Sequence, residues 1–105
     1  MKLLFDQGTP RPLRHYLAEH SVDTASERGW SDLDNGDLLE VAENEGYDLL
    51  ITTDQNIRHQ QNLANRRISI EVLLSTAWPL IQLRVDNIRA AVNEMGPAGS
   101  KELSI

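Results

Sequence analysis

The segment DLLITTDQN, residues 48–56, limits the possible folds of this chain more than any other. Leu49, Leu50 and Ile51 are apolar without alternation, so a strand here is buried on both faces, as in a parallel sheet covered on both sides. The run passes through Thr52 and Thr53 and stops on Asp54. The N-terminus repeats the event, because the apolar run KLLF stops on Asp6. Parallel neighbours cannot be joined by a tight turn and need crossover connections, usually helical. The rest of the chain supplies segments suited to that.

QGTPRP reads as a turn, with Thr9 an N-cap and Pro10 at a first helical position. A helix to about Glu19 then buries Leu13, Tyr16 and Leu17. SVDTAS alternates and reads as a short strand near the sheet edge. After the polar loop ERGWSDLDNGD, with Asp34 or Asn35 as cap, GDLLEVAENEG reads as a helix. It turns Leu38, Leu39, Val41 and Ala42 inward and stops at Gly46. QNIRHQQNLANRR opens helically, and ISIEVLL is a further strand. STAWPLIQLRVDNIRAAVNEMG reads as one long helix with Ile81, Val85, Ile88 and Val92 on one stripe and Gly96 as its stop.

Strands alternating with helices predict a single three-layer α/β/α domain over residues 1–95, with a mostly parallel central sheet of about four strands. Residues 96–105 read as a loose, flexible tail. In such folds the carboxyl ends of the strands share one edge, and ligands bind there at the point where strand order reverses. Asp6 and Asp54 fall on that edge if their strands are neighbours.

The chain has 105 residues and no cysteine, which excludes disulfides, thiolate metal sites and a cysteine nucleophile. No apolar run approaches the ~20 residues that span a bilayer, and the N-terminus lacks a signal-peptide pattern, so the expected location is the cytoplasm. The net charge of −6 argues against a surface that coats nucleic acid broadly. Charge is unevenly placed: residues 23–48 hold nine acids and one base, Arg28, whereas 55–70 hold Arg58, Arg66 and Arg67 and no acid. Residues 7–18 are also acid-free and carry Arg11, Arg14 and His15.

A third acid, Asp37, opens the helix ahead of the DLLITT strand, and the short return from helix to strand brings it towards the same edge. LLFD followed by DLLEVAENEGYDLLITTDQNI resembles the PIN-like superfamily of metal-dependent nucleases. The likeness is in the acid-opened helix Asp-x-x-Leu-x-x-Ala, the apolar strand and the Thr-x-Asp that follows. It covers roughly residues 1–75 and is nearest to compact bacterial PIN-like domains related to VapC-type toxin nucleases. The resemblance implies that Asp6, Asp37 and Asp54 are catalytic and hold Mg²⁺ or Mn²⁺. It implies a ribonuclease that is the toxin half of a toxin–antitoxin pair, with a small antitoxin partner and a homodimeric state. Glu40, Asn56 and Thr53 are auxiliary candidates, and Arg58, His59, Arg66 and Arg67 are candidate RNA contacts. Asn56 stands where the family often has a second Asp, Ile57 replaces a usual Phe, and the first helix offers no inward acid. These departures define the alternative, a degenerate PIN-like module that binds RNA or a protein without cutting.

Each acid also has a plain structural role open to it: Asp54 as a helix cap, Asp37 against a helix dipole, Asp6 as a turn former before Gly8. Their joint placement favours the metal site. Other acidic α/β classes fit less well. A receiver domain needs a lysine late in the sheet, and the only lysines are Lys2 and Lys101. A haloacid-dehalogenase-type phosphatase needs Asp-x-Asp where this chain has DQG, and a dinucleotide site needs a glycine-rich first turn. The stripe on residues 80–92 also suits a scaffolding interface. Trp30 and Trp78 read as packing residues.

Overall fold

A computed structural model describes residues 1–57, 67–95 and 100–103. Strands β1 (Lys2–Phe5), β2 (Ser21–Thr24), β3 (Leu49–Thr52), β4 (Ser69–Leu73) and β5 (Ser100–Leu103) form one sheet. All pairs are parallel, and the order is β2-β1-β3-β4-β5. The expectation of a parallel α/β sheet therefore holds, with five strands rather than about four. A 3-10 helix (Arg11–Leu17), α1 (Asn35–Asn44), α2 (Trp78–Gln82) and α3 (Val85–Glu94) complete the described elements. None of the described helices is long and apolar enough to cross a membrane.

The alternation of side chains along each strand divides the core in two. Leu4, Leu50, Ile70 and Val72 pack with Leu38, Leu39 and Ala42 of α1. Leu3, Phe5, Leu49, Ile51 and Leu73 pack with Leu13 and Leu17 of the 3-10 helix and with Ile81, Ile88 and Val92. All four residues of β3 are buried, as the unbroken apolar run requires. β2 lies at one edge and is only partly buried.

Four local expectations change. First, the helix after the turn is 3-10 and ends at Leu17. Pro12 removes an N–H donor from its first turn, and Tyr16 is only half-buried, resting on Trp78 with ring centroids 6.0 Å apart. Thr9 does not cap it; its hydroxyl turns towards Asp6. Second, Val41 is not inward but lies on the outer side of α1 with Leu33, Asp37, Glu40 and Asn44. At 3.6 residues per turn it sits ~100° from the middle of the stripe made by Leu38, Leu39 and Ala42. Third, the long C-terminal helix is two pieces broken at Leu83–Arg84. Gln82, Leu83 and Arg84 are all exposed, so no packed face holds that turn helical. The stripe survives the break: Ile81, Ile88 and Val92 are buried together, with Val85 packed against them. Fourth, part of the expected loose tail forms β5. All five residues of β4 are buried, and β5 covers the edge that β4 would otherwise open to water. Most of the helix expected after Asp54, and the Gly96 stop, lie outside the described residues.

Asp34 caps α1 by accepting from the Asp37 N–H at 2.8 Å, and Gly46 ends the turn after α1 at φ +82°. Tyr47 then enters the core edge-on to Trp30. Its hydroxyl donates to Asp23 Oδ2 at 2.6 Å. Burial, and then the bond to Asp23, push the phenol up to about 12 from 10.0. The folded state therefore holds this proton more tightly than the unfolded chain. The stability it contributes is complete below pH ~10 and is lost as pH rises towards 12. Titration followed by tyrosinate absorbance should show one of the two tyrosines ionising near 12, and Tyr47→Phe should remove that step.

Candidate functional site

Hydrogen bonding places Asp6 and Asp54 on the same edge. Leu3, Leu4 and Phe5 pair in register with Leu49, Leu50 and Ile51, and the ladder runs one step further, with the Asp6 N–H donating to the Ile51 carbonyl at 3.1 Å. Asp6 thus leaves β1 at the level of Thr52. The chain departs from β1 towards β2 on one side and reaches β3 on the other, so the gap between β1 and β3 is where strand order reverses.

Thr52 is fully buried, and its hydroxyl must find partners. It donates to Asp6 Oδ2 and accepts from the Asp54 N–H at 3.0 Å. One hydroxyl therefore ties the first acid to the backbone of the second. The Thr9 hydroxyl lies 2.7 Å from Asp6 Oδ1 and 2.8 Å from the Ile51 carbonyl oxygen, so its single proton serves two acceptors. Asp54 Oδ1 accepts from the Asn56 N–H at 2.9 Å, a local turn, and Oδ2 accepts from Asn35 Nδ2. Asn35 is the first residue of α1, so that helix is pinned to the carboxylate after β3. Gly8 completes the turn: a Cβ there would lie 2.6 Å from Thr53 Oγ1, so a larger residue would have to displace that hydroxyl.

The other candidates separate from this pair. Asp37 is exposed and lines the outer groove of α1 with Glu40. Among the described residues no three His, Asp or Glu side chains form a group that could hold a metal ion. Asn56 contributes its backbone N–H, and Thr53 its contact with Gly8. Arg67 is largely exposed and pairs with Glu43, its Nε 3.4 Å from Oε1. Arg58, His59 and Arg66 lie outside the described residues. Sequence reasoning gave no site role to Thr9 or Asn35 and left Thr52 as a plain strand residue. A threonine ending an unbroken apolar strand is the one signal that points to a committed hydroxyl.

Asp6 and Asp54 offer the hard oxygen donors that a hydrated divalent ion takes. Each of their four carboxylate oxygens accepts a hydrogen bond and keeps lone-pair capacity for another partner. Magnesium is commonly bound through one or two carboxylates, several waters and the phosphates of a substrate. Two hollows open beside Asp6 and share Gln7 with it. One, of about 150 Å³, is walled by Gly8, Trp30, Asn35 and Leu38. The other, of about 180 Å³, is walled by Thr9, Arg11, Thr24 and Ser26.

These features define a small parallel α/β domain with two hydrogen-bonded carboxylates at the reversal point of its sheet. No family model, no curated protein and no solved structure matches the chain.

Proposed function

We propose that the chain is a PIN-like ribonuclease that cleaves phosphodiester bonds with Mg²⁺ or Mn²⁺ held by Asp6 and Asp54. The observation that carries this reading is the placement of those two acids on adjoining strand tips, tied through Thr52. The order of the sequence elements that resemble PIN-like domains supports it independently. A bound ion supplies charge to the scissile phosphate and lowers the pKa of an attacking water. The chain's own groups hold the carboxylates in place: Thr52 and Thr9 fix Asp6, and Asn35 and the Asn56 N–H fix Asp54. A toxin role, with a small protein partner covering this edge by an Arg or Lys side chain, and a homodimeric state follow from the same resemblance; a cytoplasmic location follows from the lack of a spanning apolar run and of a signal-peptide pattern.

The second reading is a module that binds RNA or a protein without cutting. The position of Asp37, exposed and with Glu40 on the outer groove of α1, favours it. Incubation of single-stranded RNA with the protein in Mn²⁺ or in EDTA, with Mn²⁺ affinity measured by calorimetry, separates the two. Nuclease function predicts cleavage in Mn²⁺ alone and Mn²⁺ binding that weakens in Asp54→Asn. Intact RNA together with no Mn²⁺ uptake leaves the non-cutting module.

A further inference from the structure

The hollow between the carboxyl ends of β1 and β2 holds a cation that the fold leaves unpaired. Among the described residues Arg14 pairs with Glu27, Arg28 with Glu45, Arg67 with Glu43 and Arg89 with Glu19. Lys2 Nζ donates to the Glu45 carbonyl at 2.8 Å and lies over the Tyr47 ring. Arg11 and Arg84 have no such partner among the described residues, and Arg11 lines a hollow that Asp6 also lines.

Two neighbours of Arg11 are donors with protons to spare. Gln7 and Ser26 are exposed and make no side-chain hydrogen bond within the described residues. Thr24, which also lines the hollow, is spent on Glu27: its hydroxyl accepts from the Glu27 N–H at 3.1 Å and also bonds the Glu27 carboxylate. The two acids on this side of the sheet are already engaged, Asp6 by the Thr9 and Thr52 hydroxyls and Glu27 by Arg14. Arg14 binds both Glu27 carboxylate oxygens, and that bond, with the Thr24 N–H, holds the Glu27 carboxyl down at about 2. A planar guanidinium with free amide and hydroxyl donors around it is a setting for a phosphate oxyanion.

We infer that this hollow is a phosphate subsite for a nucleic-acid strand, with Arg11 supplying the charge and Gln7 and Ser26 supplying hydrogen bonds. The choice of a nucleic-acid phosphate rests on the proposed nuclease function. The subsite lies against Asp6, so a phosphodiester seated on Arg11 sets the strand beside the carboxylate pair. Arg11 is thus a positioning residue: it fixes where the strand lies and does not touch the reacting atoms.

The test measures binding without cleavage. A short fluorescent oligouridylate is titrated into the intact protein in EDTA and followed by anisotropy over a range of salt concentrations. Arg11→Ala should weaken binding about tenfold, the scale of one charge-assisted contact. It should also flatten the dependence of log affinity on log salt by roughly one phosphate contact. Arg11→Lys should recover part of the affinity, because it restores charge without the planar fork. Arg89→Ala makes the same charge change away from both hollows and should bind as the unaltered protein does. Equal weakening by Arg89→Ala would reduce the effect to overall charge and overturn the subsite. So would unchanged binding by Arg11→Ala, or an unaltered protein that fails to bind the oligonucleotide. Arg11 is exposed, so the variant keeps the fold, which circular dichroism checks. Binding that depends on Arg11 in a protein that never cuts RNA would end the nuclease reading and leave the subsite standing.

Discussion

Asp6→Asn is expected to lower Mn²⁺-dependent RNA cleavage at least about 100-fold while leaving the protein folded. Losing one of two anionic ligands removes several kcal/mol of charge stabilisation from the transition state, and each 1.36 kcal/mol is tenfold in rate. The fold tolerates the change because an amide is nearly isosteric with the carboxylate. Its oxygen still accepts from one threonine hydroxyl, and its NH₂ faces the oxygen of the other. The comparison that gives the result meaning is Asp37→Asn. Asp37 is exposed and lines the outer groove of α1, so its amide variant should cleave within about threefold of the unaltered protein, the range of a remote surface charge. Equal losses in both variants would mean that the substrate-bound state draws α1 inward and assembles three acids. Full cleavage by Asp6→Asn would remove the metal site from the β1 tip.

What was legible in the sequence follows from how local each cause is. The unbroken Leu49–Ile51 run reports burial on both faces of a strand, a property of those residues alone, and β3 is buried throughout. The crossover rule then gives a parallel sheet without knowledge of strand order. Adjacency of β1 and β3 is a different matter, because it depends on which side of β1 each crossover takes. The bond between Thr52 and Asp6 depends on register as well: a slip of one residue would put another side chain opposite Asp6. The sequence also offers Thr9 two good roles, helix cap and acid partner. Pro10 and Pro12, by withdrawing N–H donors that a cap would serve, leave its hydroxyl for Asp6 and the Ile51 carbonyl. Asp37 carried the family-like spacing, yet the cap made by Asp34 fixes the first turn of α1 with Asp37 pointing to solvent. Asn35, two residues earlier, faces Asp54 instead. β5 was hidden for another reason. Ser100–Leu103 has no alternating apolar pattern, and only the buried edge of β4 recruits it.

Thr52→Val should destabilise the domain by about 1–3 kcal/mol although it preserves shape and removes no carbon from the core. The loss has two sources. Asp6 Oδ2 loses its donor, and the Asp54 N–H loses the oxygen 3.0 Å away. Valine is at least as favourable as threonine in a strand, so intrinsic preference contributes nothing to the penalty. In a domain of this size a loss of that order lowers Tm by about 5–15 °C. Thr52→Ser makes the opposite change: it keeps the hydroxyl and gives up one buried methyl, worth about 0.8 kcal/mol. The pair of variants therefore separates bonding from packing. If the hydroxyl bridge holds the two carboxylates in register for an ion, Thr52→Val should also weaken Mn²⁺ affinity about 10- to 100-fold, the usual effect of removing a group that orients a ligand. Thr52→Ser should bind Mn²⁺ nearly as well as the unaltered protein despite its lower Tm. A serine variant that is less stable than the valine variant would show that Thr52 acts through its methyl group. A valine variant that loses stability but keeps full Mn²⁺ affinity would show that the bridge supports the sheet edge and not the site.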